Sequence, residues 1–212
     1  MKKVLFHFAM WNEVPDFIKE KSKLVDGGNF GMESINVDGK IVHILVTGPS
    51  FDGILNYVDK FIQFPIIVNV GFCGANSKEL KKGDVVQISK SYNYDLAIPN
   101  LPRMMSMTMD DNGNYGSTDL CVASKYILFE CASSNAFVTL ERLKADEMMD
   151  KELVFDMELW PLAKLFSARV MSYKIVSDNC SYEEYKESSE ENINLSKVIE
   201  DVVKQLLIDL KL

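Results

Sequence analysis

The 212-residue sequence holds only two histidines, His7 and His43, and four cysteines, Cys73, Cys121, Cys131 and Cys180, none of them spaced as zinc ligands are. No metal site is expected. Cysteines this scattered read as buried thiols of a cytoplasmic protein, with no disulfides. No apolar run approaches the roughly 20 residues needed to cross a bilayer, so no membrane role is expected. Met1-Lys2-Lys3-Val4-Leu5-Phe6 has the charge of a leader. Its apolar run is broken by His7 and ends at Trp11-Asn12-Glu13 without a small-residue cleavage site, which reads as a first strand. Positive charge is also short. The 23 Lys and Arg against 31 Asp and Glu leave a net charge of −8, which argues against a nucleic-acid partner. Linkers and repeats are missing too, so residues 1–212 read as one domain.

What is present is an alternation of apolar runs and helical patterns. Strands are predicted at Val4–Ala9, around Phe30–Val37 and Ile41–Val46 flanking the hairpin signal Asp38-Gly39, and at 66–70, 85–91, 126–131, 154–155 and 170–176. Helices are predicted over 16–24 (stopped by Asp26-Gly27-Gly28), 51–62, 137–148, 157–167 and from Leu195 to Leu210, where the amphipathic stripe is clearest. Residues 97–119, with two prolines, four methionines and Asp110-Asp111-Asn112-Gly113-Asn114, read as a long loop. The outcome is an α/β fold with a central mixed sheet and helices on both faces.

The stretch richest in functional information is Val68-Asn69-Val70-Gly71-Phe72-Cys73-Gly74-Ala75, followed by Leu80-Lys81-Lys82-Gly83-Asp84-Val85-Val86. Two glycines and two small residues after an apolar strand let the backbone approach a ligand and expose its N–H groups. They also suit a plain turn. Three carboxylates stand out elsewhere. Glu13 follows the first strand and reads either as a site residue or as a first-turn glutamate on a helix dipole. Glu158 lies in the otherwise apolar run Met157–Phe166, where a lone carboxylate is costly unless hydrogen-bonded. Asp178 ends a strand and reads as a crevice acid or as the cap of a following helix, since Ser177-Asp178-Asn179 suits capping.

The glycine stretch resembles the "N-x-G-x-A/C-G-G/A … L-K-x-G-D-V-V" signature of the nucleoside phosphorylase/nucleosidase superfamily. Three further blocks follow that resemblance in the right order. Ala9-Met10-Trp11-Asn12-Glu13 is similar to the "A-M-x-x-E" opening of the methylthioadenosine/S-adenosylhomocysteine nucleosidase branch. Phe155-Asp156-Met157-Glu158 resembles "V-[DE]-M-E", and Val176-Ser177-Asp178 resembles "I-S-D". The resemblance implies a three-layer sandwich, a homodimer, no cofactor, and hydrolysis of the N-glycosidic bond of a purine nucleoside, a 5′-modified adenosine such as 5′-methylthioadenosine or S-adenosylhomocysteine. It implies Glu13 as the base that activates water and Asp178 as the acid that protonates the departing base. Glu158 would hold the ribose hydroxyls and Met157 the sugar face, while Met10 and Gly74 belong to the binding site. Phe137 would stack on the base and the backbone of Val138 would read its edge, after the pattern Ser134-Asn135-Ala136-Phe137.

Such chemistry needs a proton for the leaving base and negative charge with a nucleophile at the ribose, which carboxyl groups supply without a metal. The sequence also departs from the pattern. Phe72 stands where a water-holding serine is usual, and Lys174 where an arginine is usual, keeping the charge but not the fork. Both are assigned to the substrate site, with Lys174 expected to help hold the water. Thr47-Gly48-Pro49-Ser50-Phe51 matches the usual "S-G-[IV]-G-K" poorly. The first strand ends Phe8-Ala9-Met10 and Asn69 stands before the glycines, so the phosphate-binding arginines of the phosphorylases are missing. Water is therefore the expected nucleophile. The alternatives are a purine nucleoside phosphorylase, favoured by Cys73-Gly74-Ala75, and a catalytically weak nucleoside-binding protein, favoured by Phe72.

Overall fold

A computed structural model describes residues 3–24, 30–97, 99–108, 117–122, 125–190 and 195–210. The stop signal at Asp26-Gly27-Gly28 and the polar run 110–114 lie outside these residues. The strands are β1 Val4–Phe8, β2 Gly31–Val37, β3 Lys40–Val46, β4 Ile66–Asn76, β5 Val85–Asn93, β6 Thr118–Asp119, β7 Ile127–Ser133, β8 Leu153–Asp156 and β9 Val170–Asp178. The helices are α1 Asp16–Lys19, α2 Phe51–Leu55, α3 Val58–Phe61, α4 Arg103–Thr108, α5 Leu140–Ala145, α6 Leu159–Phe166, α7 Tyr182–Glu190 and α8 Leu195–Asp209.

The strands form one mixed sheet in the order β2-β3-β1-β4-β8-β7-β5-β6, and β9 joins β4 to β5. That extra pairing closes β4, β9, β5, β7 and β8 into a ring, with β1, β3 and β2 extending from it. The β2–β3 hairpin turns at Asp38 and Gly39, both at positive φ, 52° and 84°. Two residues in that conformation make a turn whose twist matches the flanking strands.

Alternation along the strands feeds a core on each face. Phe6, Phe8, Val68 and Val70 pack with Ile199, Val202 and Val203 of α8. Leu5, Leu45 and Ile67 face Ile54, Phe61, Leu159, Leu162 and Phe166 of α2, α3 and α6. Helices thus cover both faces, as the periodicity predicts. A smaller third core joins Met107 of α4, Leu143 of α5 and the β5 tyrosine Tyr92. Among the described residues, no helix is long and apolar enough to cross a membrane.

Several boundaries differ from the sequence reading. Helix 51–62 breaks into α2 and α3, with Leu55 and Ile62 exposed. Helix 137–148 begins only at Leu140, because the Thr139 hydroxyl caps it by accepting the Arg142 amide at 3.2 Å. Phe137 and Val138 are left in the preceding loop. The strand expected to end at residue 70 continues to Asn76, so Gly71 and Gly74 lie inside β4.

Candidate active site

Where β4, β8 and β9 meet, the C-terminal half of β4 is paired on both sides, Gly74 standing opposite Phe155 of β8 and Asp178 of β9. Cys73 pairs with Val176 and Gly74 with Asp178, so Ser177 is an extra residue on β9. A bulge of this kind bends the strand and re-aims the next side chain. Here it turns Asp178 toward a cavity of about 260 Å³ between the sheet, the loop 134–139 and α7.

The cavity is lined by nine of the ten residues singled out from the sequence: Met10, Glu13, Phe72, Gly74, Phe137, Val138, Met157, Glu158 and Asp178. Lys174 is the tenth, and here the structure corrects the expectation that it touches substrate or water. Lys174 does not line the cavity and has no exposed surface. Its Nζ lies 2.7 Å from Asp156 Oδ2 and 2.5 Å from Glu158 Oε1. A buried ammonium needs such partners, and the cavity wall supplies both.

Glu13 follows β1 in the short helical turn Trp11–Glu13. Its Oε2 accepts the amides of Ala9 at 2.9 Å and Met10 at 2.8 Å, and its Oε1 accepts the amide of Phe72 at 2.9 Å. The Phe72 amide therefore points at Glu13 and not at a ligand. The glycines make room for carboxylates. A Cβ on Gly71 would sit 2.7 Å from Glu13 Oε1, and one on Gly74 would sit 2.9 Å from Asp178 Oδ1. Glu13 uses three of a carboxylate's roughly four acceptor positions, leaving one for a proton of water. Burial raises its pKa, while Lys174 and the three amides pull it down.

Asp178 is 2% exposed. Its Oδ2 accepts the Ser177 hydroxyl at 2.7 Å, and Oδ1 has no hydrogen-bond partner among the described residues. Burial lifts its carboxyl above the ordinary aspartate range, against the Ser177 hydroxyl and the nearby backbone amides of Ser181 and Cys180. It does not cap α7 in the usual way. Ser181 does, its hydroxyl accepting the Glu184 amide at 3.3 Å. A buried carboxyl with a raised pKa and an unpaired oxygen is suited to hold and give a proton.

Glu158 stands at the start of α6 and is only 4% exposed, so it is not a solvated residue of the first turn. Its Oε2 accepts the Met157 amide at 3.2 Å. Burial pushes its pKa up to about 8, opposed by the Lys174 ammonium and supported by Asp156 and Glu13. For Lys174 burial works against the charge, yet Asp156 and Glu158 together hold the ammonium well above the lysine range.

The sequence reading gave no role to several lining residues. Asp156 lines the cavity beside its bond to Lys174. Tyr182 and Tyr185 of α7 roof it, their rings 5.8 Å and 5.7 Å from that of Phe137. Their spacing of three, just beyond Asp178, was the available signal, since it places both on one helical face. No lysine or arginine lines the cavity among the described residues.

No protein-family model matches the chain, and no curated protein matches it. Solved structures do. A mutant MTAN of Helicobacter pylori with 5′-methylthioadenosine in its active site matches at a TM-score of 0.74 and 12% identity over 99% of both chains. The native futalosine hydrolase of Helicobacter pylori matches at 0.73 and 13% identity over 98% of both chains. The methylthioadenosine/S-adenosylhomocysteine nucleosidase of Colwellia psychrerythraea in complex with adenine matches at 0.73 and 18% identity, over 97% of this chain and 96% of that one. The fold is the mixed-sheet α/β architecture of these nucleosidases, in agreement with the resemblance seen in the sequence.

Proposed function

We propose that this protein hydrolyses the N-glycosidic bond of a purine nucleoside, a 5′-modified adenosine such as 5′-methylthioadenosine or S-adenosylhomocysteine. The observation that carries the reading is the convergence of Glu13, Glu158 and Asp178 on one cavity that no cation lines among the described residues. The likeness to structures holding 5′-methylthioadenosine and adenine supports the choice of ligand.

In this reading the base lies between Phe137, Val138 and Asp178, and the ribose lies over Met157 with its two hydroxyls donating to Glu158. As the bond from C1′ to the base nitrogen breaks, its electron pair leaves with the base, and Asp178 gives the base a proton. Charge develops on the sugar, which the neighbouring carboxylates stabilise in a site of low polarity. Water attacks C1′ and passes its proton to Glu13. The products are free base and the 5′-modified sugar, and one proton has moved from Asp178 to Glu13. The described lining carries acidic side chains and no basic one, so it offers phosphate no counter-charge, which favours water over phosphate as nucleophile.

A nucleoside panel incubated with and without phosphate tests this, with free base as the readout. Base released equally in both supports hydrolysis. Release only with phosphate, with ribose-1-phosphate formed, makes the protein a phosphorylase. Binding without release makes it a nucleoside-binding protein. The chain is proposed to act as a single domain in the cytoplasm and to form a homodimer.

A further inference from the structure

One buried titratable side chain takes no part in the chemistry proposed above. His7 of β1 is fully buried, its ring edge-on to Phe61 of α3 at 5.3 Å. It stands beside Asn69 of β4, which stands beside Ser172 of β9. Three polar side chains thus form one rung across three strands, and all three are buried. Such a rung is costly unless its members are hydrogen-bonded.

The bonds along it run one way. The Ser172 hydroxyl donates to Asn69 Oδ1 at 2.7 Å, and Asn69 Nδ2 donates to His7 Nδ1 at 3.0 Å. With Nδ1 accepting, the ring proton sits on Nε2, which donates to the Thr47 hydroxyl at 2.9 Å. The Thr47 hydroxyl is then free to donate to the Gly48 carbonyl at 3.0 Å. The opposite tautomer would turn the Thr47 hydroxyl back to His7 and take that donor from Gly48. Burial, and then the Lys174 ammonium, push the His7 pKa down to about 3, so the ring keeps this state at neutral pH.

The chain of bonds ends on a segment that needs holding. Gly48 has a φ of 90°, and Ser50 has a φ of 106° with a ψ of 163°, a region that side chains rarely adopt. Such a conformation persists only where its surroundings over-determine it. The Gly48 carbonyl is pinned between the Thr47 hydroxyl and α2, where a Cβ on Gly53 would sit 2.6 Å from it. On the far side, the Phe51 amide donates to Asn135 Oδ1 at 3.0 Å. Pro49, between these two clamps, lines the cavity.

We propose that His7 is a positioning residue: through Thr47 it fixes the Gly48 carbonyl and so holds Pro49 as a rigid wall of the ligand cavity. Its loss loosens ligand binding and leaves the chemical step at Glu13 and Asp178 in place. The inference rests on the nucleosidase reading for the choice of ligand.

The test uses the wild type, His7→Leu, Thr47→Val, the double variant and His7→Gln. Amide exchange is followed without ligand. With 5′-methylthioadenosine, Kd is measured by calorimetry and kcat by base release. Glutamine carries an acceptor and a donor for Asn69 and Thr47, whereas leucine fills space with neither. His7→Leu and Thr47→Val should each speed exchange at Gly48 and Phe51 while the α8 amides stay protected. Each should weaken binding by roughly 3–10-fold with kcat nearly unchanged. The double variant should be no worse than His7→Leu, since both changes cut one chain of bonds, and His7→Gln should stay near wild type. Additive losses, an unchanged Kd, or unchanged exchange at Gly48 and Phe51 overturn the inference. Should His7→Leu fail to fold, Thr47→Val against Thr47→Ser, which keeps the hydroxyl, decides it. Binding without base release overturns hydrolysis, and the Kd comparison still decides the inference. No binding by the wild type overturns the nucleosidase reading, and the exchange at Gly48 and Phe51 then decides the inference.

Discussion

Gly71 of β4 and Glu13 compete for one volume: a Cβ on Gly71 would lie 2.7 Å from Glu13 Oε1, a carboxylate fixed by three backbone amides. The glycine is therefore matched to the glutamate and not to a turn. Gly71→Ala should move the carboxylate and break at least one of those bonds. Base release should fall by roughly the 10²–10⁴-fold attached to a misplaced general base, while affinity for a nucleoside analogue changes little. Steady-state kinetics beside calorimetric Kd values check this. Unchanged kcat would show that Glu13 does not act on the water.

Asp178→Asn should separate activity from stability. The amide can donate a hydrogen bond but cannot transfer a proton, so kcat should drop by roughly 10²–10⁴-fold. The carboxyl has a raised pKa in the folded state. Its contribution to stability is thus fully present below the unfolded aspartate pKa near 3.9 and is lost as pH rises through the folded value. Asparagine carries no charge to bury. The variant should unfold at higher denaturant than the wild type at pH 8, and the gap should close toward pH 4. A variant less stable at every pH would identify Asp178 as structural.

Much of this arrangement was legible in the sequence, because the positions of strands and the buried faces of helices follow from apolar runs such as Val4–Phe8 and from the stripe in α8. Glu158 was legible because it interrupts an apolar run, and Glu13 and Asp178 because they follow strands and complete the motifs that carry the resemblance. The closing of β4, β9 and β5 was not, since it depends on pairings between residues about 90 to 100 positions apart, such as Val85 with Ile175 and Ile67 with Val170. The same limit hid the role of Lys174. Its partner Asp156 lies 18 positions upstream on a different strand, and nothing local in Tyr173-Lys174-Ile175 shows that the ammonium is buried against two carboxylates of the cavity wall. The glycines misled in the opposite direction. Their turn preference is overridden by ladders on both sides of β4, and their small size serves two carboxylates that arrive from elsewhere in the chain.

Lys174→Met should test that burial directly. Removing one partner of a buried ion pair leaves uncompensated charge and typically costs about 3–5 kcal/mol. In a chain of this length that is a fall in Tm of roughly 6–20 °C. The orphaned Glu158 carboxyl, already raised to about 8 with its partner present, should rise further. The deficit relative to wild type should shrink as pH is lowered from 8 to 5, because protonation removes the unpaired charge. A deficit independent of pH would mean that lost packing, and not lost charge, is responsible.

Phe72 presents the clearest departure from the superfamily pattern, and the structure separates its two parts. Its backbone amide holds Glu13 at 2.9 Å, while its side chain lines the cavity and packs partly against the core on the α8 side. Phe72→Ser keeps the amide, opens space beside the sugar and offers a hydroxyl to the water. If water positioning limits the wild type, kcat/KM on 5′-methylthioadenosine should rise, tenfold for every ~1.36 kcal/mol of transition-state stabilisation recovered. Stability should fall by about 2 kcal/mol, less than for a fully buried phenylalanine, because the ring is only half-buried. Denaturant unfolding measured beside the kinetics keeps the two effects apart. A drop in kcat/KM on every nucleoside tested, in a variant that remains folded, would instead make the Phe72 ring a substrate contact that this site requires.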